Sequence, residues 1–267
     1  MSRNSGRTNQ SLPVWALGDY SVIGSTLHGV AEELCAAVHL RGPERLADIA
    51  CGTGNVAVAA AAQGCEVFGI DYAAPLLGLA RSRADKLRIA VSLVMANAEE
   101  LPFPDASFDV VLSAFGVMFT SNHRRAATEM LRICRPGGTI GMANWTPEGV
   151  FGQSTKVTAR FISADPTVPT AALWGSLEYL RDLFGSAVAL DGRKRNVMYR
   201  YENTKHYLDT LRTTYPPAIN AFNGLPEGER PSYADALYEL YDSRNQAHDG
   251  TFLMAMEYLE TVGQKAE

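Results

Sequence analysis

The chain has 267 residues, of which 46% are hydrophobic and 20% charged, and its formal net charge is −5. It can therefore bury a full core, as one large domain or as one domain with an insertion, and its acidic balance argues against a nucleic-acid partner. No apolar run reaches the roughly 18 residues of a membrane span and the start MSRNSGRTNQ lacks the apolar core of a signal peptide, so we expect a cytoplasmic protein, with homodimer formation left open.

Up to residue 145 the hydrophobic pattern alternates between helical and strand periods. The predicted helices cover 27–38, the alanine-rich segment before Gly64, 75–86, and the segment that Ser121 or Asn122 can cap and that residues 135–138 end. The predicted strands cover 46–50, 66–70, 91–95, 108–115 and 139–145. This alternation favours an α/β fold with right-handed crossovers and a mostly parallel sheet covered by helices on both faces.

After Trp145 prolines become frequent and the pattern changes. Two further strands are predicted at 195–201 and 251–262, which makes seven in all; the second fits strand and helix about equally and is assigned as a strand because it would close the sheet. The resulting division is a disordered tail (1–12), N-terminal lid helices (13–45), a core (46–202 and 251–267) and a helical cap insertion (203–250) over the site.

Four cysteines are scattered along the chain without C-x-x-C spacing, and each lies in an apolar or glycine-rich stretch: Cys35, Cys51, Cys65 and Cys134. This pattern favours buried structural thiols over a zinc site or a disulfide framework. We therefore predict no metal site.

The turn after the first predicted strand reads Gly52-Thr53-Gly54-Asn55-Val56-Ala57, a G-x-G-x-x-A pattern, and Asp71 ends the next strand. Such a turn and a carboxylate for ribose hydroxyls serve dinucleotides and other nucleosides alike. Asp48, four residues before Gly52, discriminates between them. A pyrophosphate on a helix N-terminus favours positive potential, whereas a carboxylate suits the sulfonium and ammonium of S-adenosylmethionine. The alternative is that Asp48 only accepts hydrogen bonds from nearby backbone.

Four segments in order resemble the class I S-adenosylmethionine-dependent methyltransferases, particularly the ubiquinone and menaquinone biosynthesis branch: LADIACGTG, GIDYA, MANAEELPFPDASFDVVLS and LRICRPGG. WALGDY (15–20) and NWTPEGVFG (144–152) are similar to a subgroup of actinobacterial-type small-molecule enzymes. The resemblance implies a Rossmann-like fold and S-adenosylmethionine as the cofactor.

The resemblance also implies a site, residue by residue. The turn from Ala50 to Gly54 would line the methionine part of the cofactor, Asp71 would bind the ribose, Tyr72 would pack on the adenine, and Asn97 and Ala98 would meet its edge. The family often has glycine where Ala50 stands and aspartate where Asn97 stands, although an asparagine oxygen can still accept from the adenine amino group. The implied cofactor-binding set is Tyr20, Asp48, Ala50, Cys51, Gly52, Gly54, Asp71, Tyr72, Asn97, Ala98 and Ser113.

Two residues are candidates for proton transfer. His123 follows the fourth strand, and Tyr20 lies on the segment that should fold over the cofactor; the alternatives are a surface residue in the first turn of a helix for His123 and a lid contact to the cofactor carboxylate for Tyr20. An apolar acceptor pocket is predicted from Phe115, Phe119, Trp174 and Tyr215, which would equally serve as core residues.

The sequence thus predicts a methyltransferase for a small, apolar or aromatic molecule, with O-, N- or C-methylation undetermined. One alternative is a methyltransferase-like protein that binds the cofactor but is catalytically silent. Another is a nicotinamide-dependent oxidoreductase, since Tyr201 and Lys205 form a Y-x-x-x-K pattern, but that segment favours a strand and the T-G-x-x-x-G-x-G turn is absent.

Overall fold

The computed structural model describes residues 14–163 and 165–267. Within these residues, seven strands form one sheet in the order β3-β2-β1-β4-β5-β7-β6. The strands are β1 (Arg45–Ile49), β2 (Glu66–Asp71), β3 (Ser92–Met95), β4 (Phe108–Ala114), β5 (Cys134–Trp145), β6 (Val188–Tyr201) and β7 (Phe252–Lys265). The predicted tail at 1–12 lies outside the described residues.

Helices pack around this sheet. They are α1 (Ser21–Ser25), α2 (His28–Ala37), α3 (Asn55–Ala62), α4 (Ala74–Leu87), α5 (His123–Ile133), α6 (Val150–Thr158), α7 (Leu177–Phe184), α8 (Thr204–Thr214), α9 (Pro216–Gly224) and α10 (Arg230–Asp242). None of the described helices is long and apolar enough to cross a membrane.

The predicted α/β fold class is confirmed. Strands β1 to β5 pair in parallel, and β7 joins them antiparallel between β5 and β6. In β1, Leu46, Ala47 and Ile49 are fully buried, as expected for a strand covered on both faces. Because β1 lies between β2 and β4, the direction of sheet growth reverses there, and ligands bind beyond the strand ends at such a point.

Two strands begin earlier than predicted. Residues 135–138, predicted to end a helix, lie within β5, where the register to β4 shifts between Phe108 and Val110. Strand β6 begins at Val188 rather than at Arg195, because it forms a long antiparallel ladder with β7 from Val188↔Lys265 to Tyr201↔Phe252. The charged and glycine-containing sequence VALDGRK gives no local strand signal, so this ladder depends on the distant partner strand.

Helices α8, α9 and α10 lie between β6 and β7, in the segment where the cap insertion was predicted. Aromatic rings join them to the sheet: Tyr207 stacks on Phe252 with centroids 5.0 Å apart and meets Tyr241 edge-on at 4.9 Å. The N-terminal segment runs beside this insertion, and a side chain at Gly18 would collide with Ile219 of α9. The insertion and the N-terminal segment therefore share one end of the sheet.

The carboxyl ends of β1 and β4 carry unusual backbone. Gly52 and Gly54 have φ of +55° and +77°, but Ala50 and Phe115 are also left-handed, at +53° and +57°. For a residue with a Cβ this conformation costs roughly 1 to 2 kcal/mol, and such strain concentrates at functional sites. The two central strands thus end in conformations that only tight packing maintains.

The ends of β1 and β4 approach closely at Gly116, where a Cβ would collide with the carbonyl oxygen and Cβ of Ala50. We expect Gly116→Ala to lower the free energy of unfolding by about 1 to 3 kcal/mol, as overpacking does. Gly78→Ala is the matched control, since a Cβ at this exposed position of α4 meets nothing within 4 Å; it should stabilise by about 0.5 to 1 kcal/mol. Urea unfolding of both variants measures the difference, and equal midpoints would contradict the close approach.

Candidate functional site

A cavity of about 420 Å³ opens at the carboxyl ends of β1, β2, β3 and β4. The turn after β1 contributes Ala50 to Thr53, β2 contributes Asp71 and Tyr72, and the N-terminal segment closes one side with Trp15 and Tyr20. The sequence-predicted residues that line it are Tyr20, Asp48, Ala50, Cys51, Gly52, Asp71, Tyr72, Asn97, Ala98, Phe115 and Phe119. The fold therefore brings most of the predicted site together.

Asp71 connects β2 to the glycine turn. Its Oδ2 accepts a hydrogen bond from the backbone N–H of Gly52 at 2.8 Å, and its Oδ1 accepts from Ala73 N–H at 2.8 Å. The side chain is buried, and burial raises the pKa of the carboxyl while these two donors oppose the shift. Each carboxylate oxygen has two acceptor positions, so Asp71 keeps capacity for ligand hydroxyls.

Asp48 lies at the floor of the same cavity and is 1% exposed. Its Oδ2 accepts from Ala57 N–H of α3 at 2.9 Å, so it does make the backbone contact considered as the alternative, while also lining the cavity. Burial raises the pKa of Asp48 to about 8, and the nearby Asp71 adds to the shift. Two buried acids at a helix N-terminus disfavour a pyrophosphate.

Another side of the cavity is built from residues after β2 and after β3. Tyr72 exposes 47% of its surface over the opening, with Leu76 beside it in the lining. The Asn97 side-chain oxygen accepts from Glu99 N–H at 3.0 Å, which leaves its second acceptor position and its amide nitrogen for a ligand. Glu99 in turn accepts from the backbone N–H groups of Ser121 and Asn122, at 2.7 and 2.9 Å, ahead of α5.

Four predicted residues line neither this cavity nor the smaller one that adjoins it. Gly54 packs against α4, where a Cβ would approach Ala80 to 3.2 Å. Ser113 is fully buried, and its hydroxyl donates to Ile49 O at 2.7 Å and accepts from Val117 N–H at 3.1 Å. Both residues hold the strand ends in place. They support the site and do not line its interior.

His123 and Trp174 are the other two, and for them the placement is a correction. His123 is 2% exposed, its Nδ1 lies 2.9 Å from the Tyr179 hydroxyl, and its ring meets Trp174 edge-on at 5.6 Å. It is thus neither a surface residue nor a cavity residue. The first turn of α5 faces inward against α7, which the sequence around His123 does not reveal. Trp174 is fully buried and packs against Phe184.

A second cavity of about 70 Å³ adjoins the first, and Trp15, Tyr20, Leu27, Phe115 and Phe119 line both. Its remaining wall includes the predicted Tyr215 and Phe151, the latter in the NWTPEGVFG segment. Sequence reasoning missed further residues of this wall: Trp145, Tyr199, Tyr207, Tyr241 and Met256. The tyrosines of β6, α8 and α10 share no spacing. The signal that could have indicated them is the density of tyrosines after residue 195.

Comparisons with known proteins agree with this geometry. The family model described as "Methyltransferase domain" matches residues 47–142. An uncharacterized protein of Mycobacterium tuberculosis is 37% identical over 262 residues, which cover 94% of this chain and 93% of the relative. The demethylmenaquinone methyltransferase of Thermus thermophilus is 38% identical over 116 residues, or 42% of this chain and 53% of that enzyme. The chain belongs to the class I S-adenosylmethionine-dependent methyltransferases. A putative methyltransferase from Bacillus halodurans shares the fold, with a TM-score of 0.63 at 20% identity over 90% of this chain and 100% of the neighbour.

Membership in the methyltransferase family makes S-adenosylmethionine the cofactor, and the residues present fit it. The cavity contains buried carboxylates but no lysine, arginine or histidine among its described lining residues, which matches a ligand with a sulfonium and an ammonium. The oxidoreductase pattern fails on geometry as well, because Tyr201 ends β6 while Lys205 lies in α8 and pairs with Asp209.

The buried imidazole of His123 should make the stability of this methyltransferase depend on pH. Burial lowers the pKa of His123 from 6.5 to about 4. The unfolded chain therefore binds a proton below pH 6.5 that the folded chain takes up only near pH 4, so stability is full above pH 6.5 and is lost as pH falls. We expect a loss of about 2 kcal/mol from this residue between pH 7.5 and 5. Urea unfolding at both pH values should show a smaller loss in His123→Gln; an equal loss in both proteins would contradict the assignment.

Proposed function

We propose that this methyltransferase holds its cofactor in the larger cavity and acts on a small, apolar or aromatic acceptor bound in the adjoining one. The observation that carries this proposal is the shared aromatic wall: Trp15, Tyr20, Phe115 and Phe119 line both cavities. Molecules bound in the two cavities would therefore meet at that wall. The net charge of −5 supports a small-molecule acceptor rather than a nucleic acid.

Each part of the cofactor has a matching group in the larger cavity. Asp71 would accept the ribose hydroxyls, and the carboxylate of Asp48 would favour the positive charges of the methionine part. The backbone N–H groups of the glycine turn and the hydroxyl of Tyr20 are donors for its carboxylate. Tyr72 and Leu76 would pack against the adenine, and Asn97 would lie at its edge. S-adenosylmethionine supplies a methyl group that its sulfonium already activates.

The chain's own contribution to the reaction is alignment and exclusion of water. Methyl transfer is an in-line displacement. Holding the acceptor in line with the methyl group at the shared wall therefore removes most of the entropic cost of bringing the two reactants together. The N-terminal segment covers the junction with Trp15, whose ring meets Tyr20 at 5.3 Å and Phe119 at 4.9 Å. Burial raises the pKa of Tyr20 well above its usual 10, so its phenol stays protonated and acts as a hydrogen-bond donor.

Calorimetric titration tests the cofactor assignment. We expect S-adenosylhomocysteine to bind with micromolar affinity and NADH not to bind, because the acidic floor disfavours a pyrophosphate. Asp71→Ala should weaken the binding of S-adenosylhomocysteine by about 1 to 3 kcal/mol, since it removes a charged acceptor from two hydroxyls.

Asp109→Ala is the matched control for that titration. Asp109 lies at the opposite end of the sheet, and its Oδ2 likewise accepts a backbone N–H, that of Arg45, at 2.8 Å. Its loss should lower stability and leave the affinity unchanged. Equal affinities of Asp71→Ala and the parent protein would refute the ribose assignment. Tight binding of NADH would refute the claim that Asp48 disfavours a pyrophosphate.

Asp48 should couple cofactor binding to proton release. Its pKa of about 8 means that the carboxyl is largely protonated in the free protein at pH 7. A bound ammonium favours the carboxylate, so binding should release up to about one proton, and affinity should fall as pH drops below 8, by up to about tenfold per unit.

The proton release is measured by calorimetric titration of the protein with S-adenosylhomocysteine at pH 7 in two buffers of different ionisation enthalpy. Asp48→Asn, which keeps an acceptor for Ala57 N–H but cannot ionise, should show the same heat in both buffers. Buffer-independent heats for the unmodified protein would contradict a role for Asp48 beside the ammonium.

A further inference from the structure

The described wall of the smaller cavity lacks the side chains that usually act as general acids or bases. None of the described residues that line it is acidic, basic or a histidine. Its polar side chains are five tyrosines, two tryptophans with indole N–H groups, and Ser154, whose hydroxyl donates to Phe151 O at 2.8 Å. Burial raises the pKa of all five tyrosines above their usual 10, so the wall is neutral at physiological pH.

The larger cavity does not supply a base across the junction. Its three carboxylates lie in that cavity's lining alone, and each accepts backbone hydrogen bonds: Asp48 from Ala57, Asp71 from Gly52 and Ala73, and Glu99 from Ser121 and Asn122. His123, the histidine that follows β4, faces Tyr179. Among the described residues, a protonated oxygen or carbon nucleophile would thus find no side chain placed to remove its proton.

Aromatic rings surround the junction instead. Trp15 meets Tyr20, Phe119 and Tyr215 with centroids 5.3, 4.9 and 6.2 Å apart, and Tyr20 lies 6.4 Å from Tyr215. The faces of such rings attract positive charge. A nucleophile that becomes cationic as it accepts the methyl group is stabilised by this wall, whereas an anionic one finds no cation.

The size of the smaller cavity limits the acceptor. At about 70 Å³ it holds roughly five water molecules, since about 10 to 15 Å³ on this measure accommodates one. A single ring with small substituents fits, and a quinol with a polyprenyl tail does not.

We infer that the acceptor is an uncharged, one-ring aromatic compound that attacks through a weakly basic nitrogen, either an aromatic amine or a nitrogen heterocycle. The inference rests on the proposed function, with the smaller cavity as the acceptor site. Phenols and carbon acids require a base. Aliphatic amines are cations at neutral pH and would enter a cavity without a carboxylate, but aromatic nitrogens keep their lone pair free.

The step balances without a protein base. The nitrogen lone pair forms the new bond to the methyl carbon, the carbon–sulfur bond of the sulfonium breaks with its electron pair staying on sulfur, and the positive charge passes to nitrogen. An aromatic amine then loses a proton to water, and a heterocycle keeps the charge. The aromatic wall is present at the place where that charge develops.

Four one-ring probes of similar size test the inference: 4-methylaniline, 4-methylphenol, benzylamine and benzoate. With protein saturated by S-adenosylhomocysteine, saturation-transfer NMR should detect binding of the two uncharged compounds and not of the cation or the anion. With S-adenosylmethionine at saturation, mass spectrometry should show N-methylation of 4-methylaniline with kcat constant within about twofold from pH 6.5 to 9. Methylation of 4-methylphenol should be at least about 100-fold slower, the usual contribution of a general base.

Several results would overturn the inference while leaving the cofactor assignment intact. They are binding of either charged probe, turnover of 4-methylphenol within tenfold of the amine, an acidic limb in kcat that disappears in Glu99→Gln, and a lack of binding or methylation of 4-methylaniline by protein that binds S-adenosylhomocysteine. Protein that fails to bind S-adenosylhomocysteine would overturn the proposed function and this inference together.

Tyr215 provides a matched pair of variants. Tyr215→Phe keeps the ring and removes only the hydroxyl, so its kcat for 4-methylaniline is the reference for the second variant. Tyr215→Leu removes the ring and should lower kcat about tenfold, since a desolvated cation–π contact is worth that order. Equal kcat values in the two variants would show that the ring does not stabilise developing charge.

Discussion

The hydrogen bond from the Gly52 N–H to the Asp71 carboxylate is the contact on which the rest of the site depends. It joins the end of β2 to the turn after β1 at 2.8 Å and fixes both against the start of α3. Gly52 has φ of +55°, a left-handed conformation that glycine adopts at little steric cost because it has no Cβ. The same contact keeps Asp71 oriented toward the cavity, so backbone geometry and ligand chemistry are set together.

The first 145 residues could be interpreted from sequence because their structural signals are local. The glycine turn, the apolar strand 46–50 and Asp71 are recognisable by spacing and composition, and the alternation of strands and helices predicts a mostly parallel sheet. The later residues could not be placed in this way. The start of β6 at Val188 depends on its ladder with β7, and the burial of His123 depends on α7, about fifty residues further along the chain. These are tertiary constraints that no short window contains.

The two cavities take their walls from different parts of the chain. The larger cavity, the proposed cofactor site, is built from residues before 122, on the ends of parallel strands, with left-handed backbone at Ala50 and Phe115. The other side takes its wall from β6, α8, α10 and β7, whose aromatic rings interlock across elements far apart in sequence. Trp15 and Tyr20 link the two sides. A substitution there changes both cavities at once, whereas one at Tyr207 or Tyr241 changes the smaller cavity alone.

The ladder between β6 and β7 ends where Tyr201 faces Phe252, so the helical insertion leaves the sheet and returns to it at paired positions. To the rest of the protein the insertion is a long loop with fixed ends, and the entropy of closing such a loop grows only slowly with its length. The length of this insertion can therefore vary at little entropic cost to the paired strands. Under the proposed function, changes in α8 to α10 would alter the acceptor wall and leave the larger cavity in place.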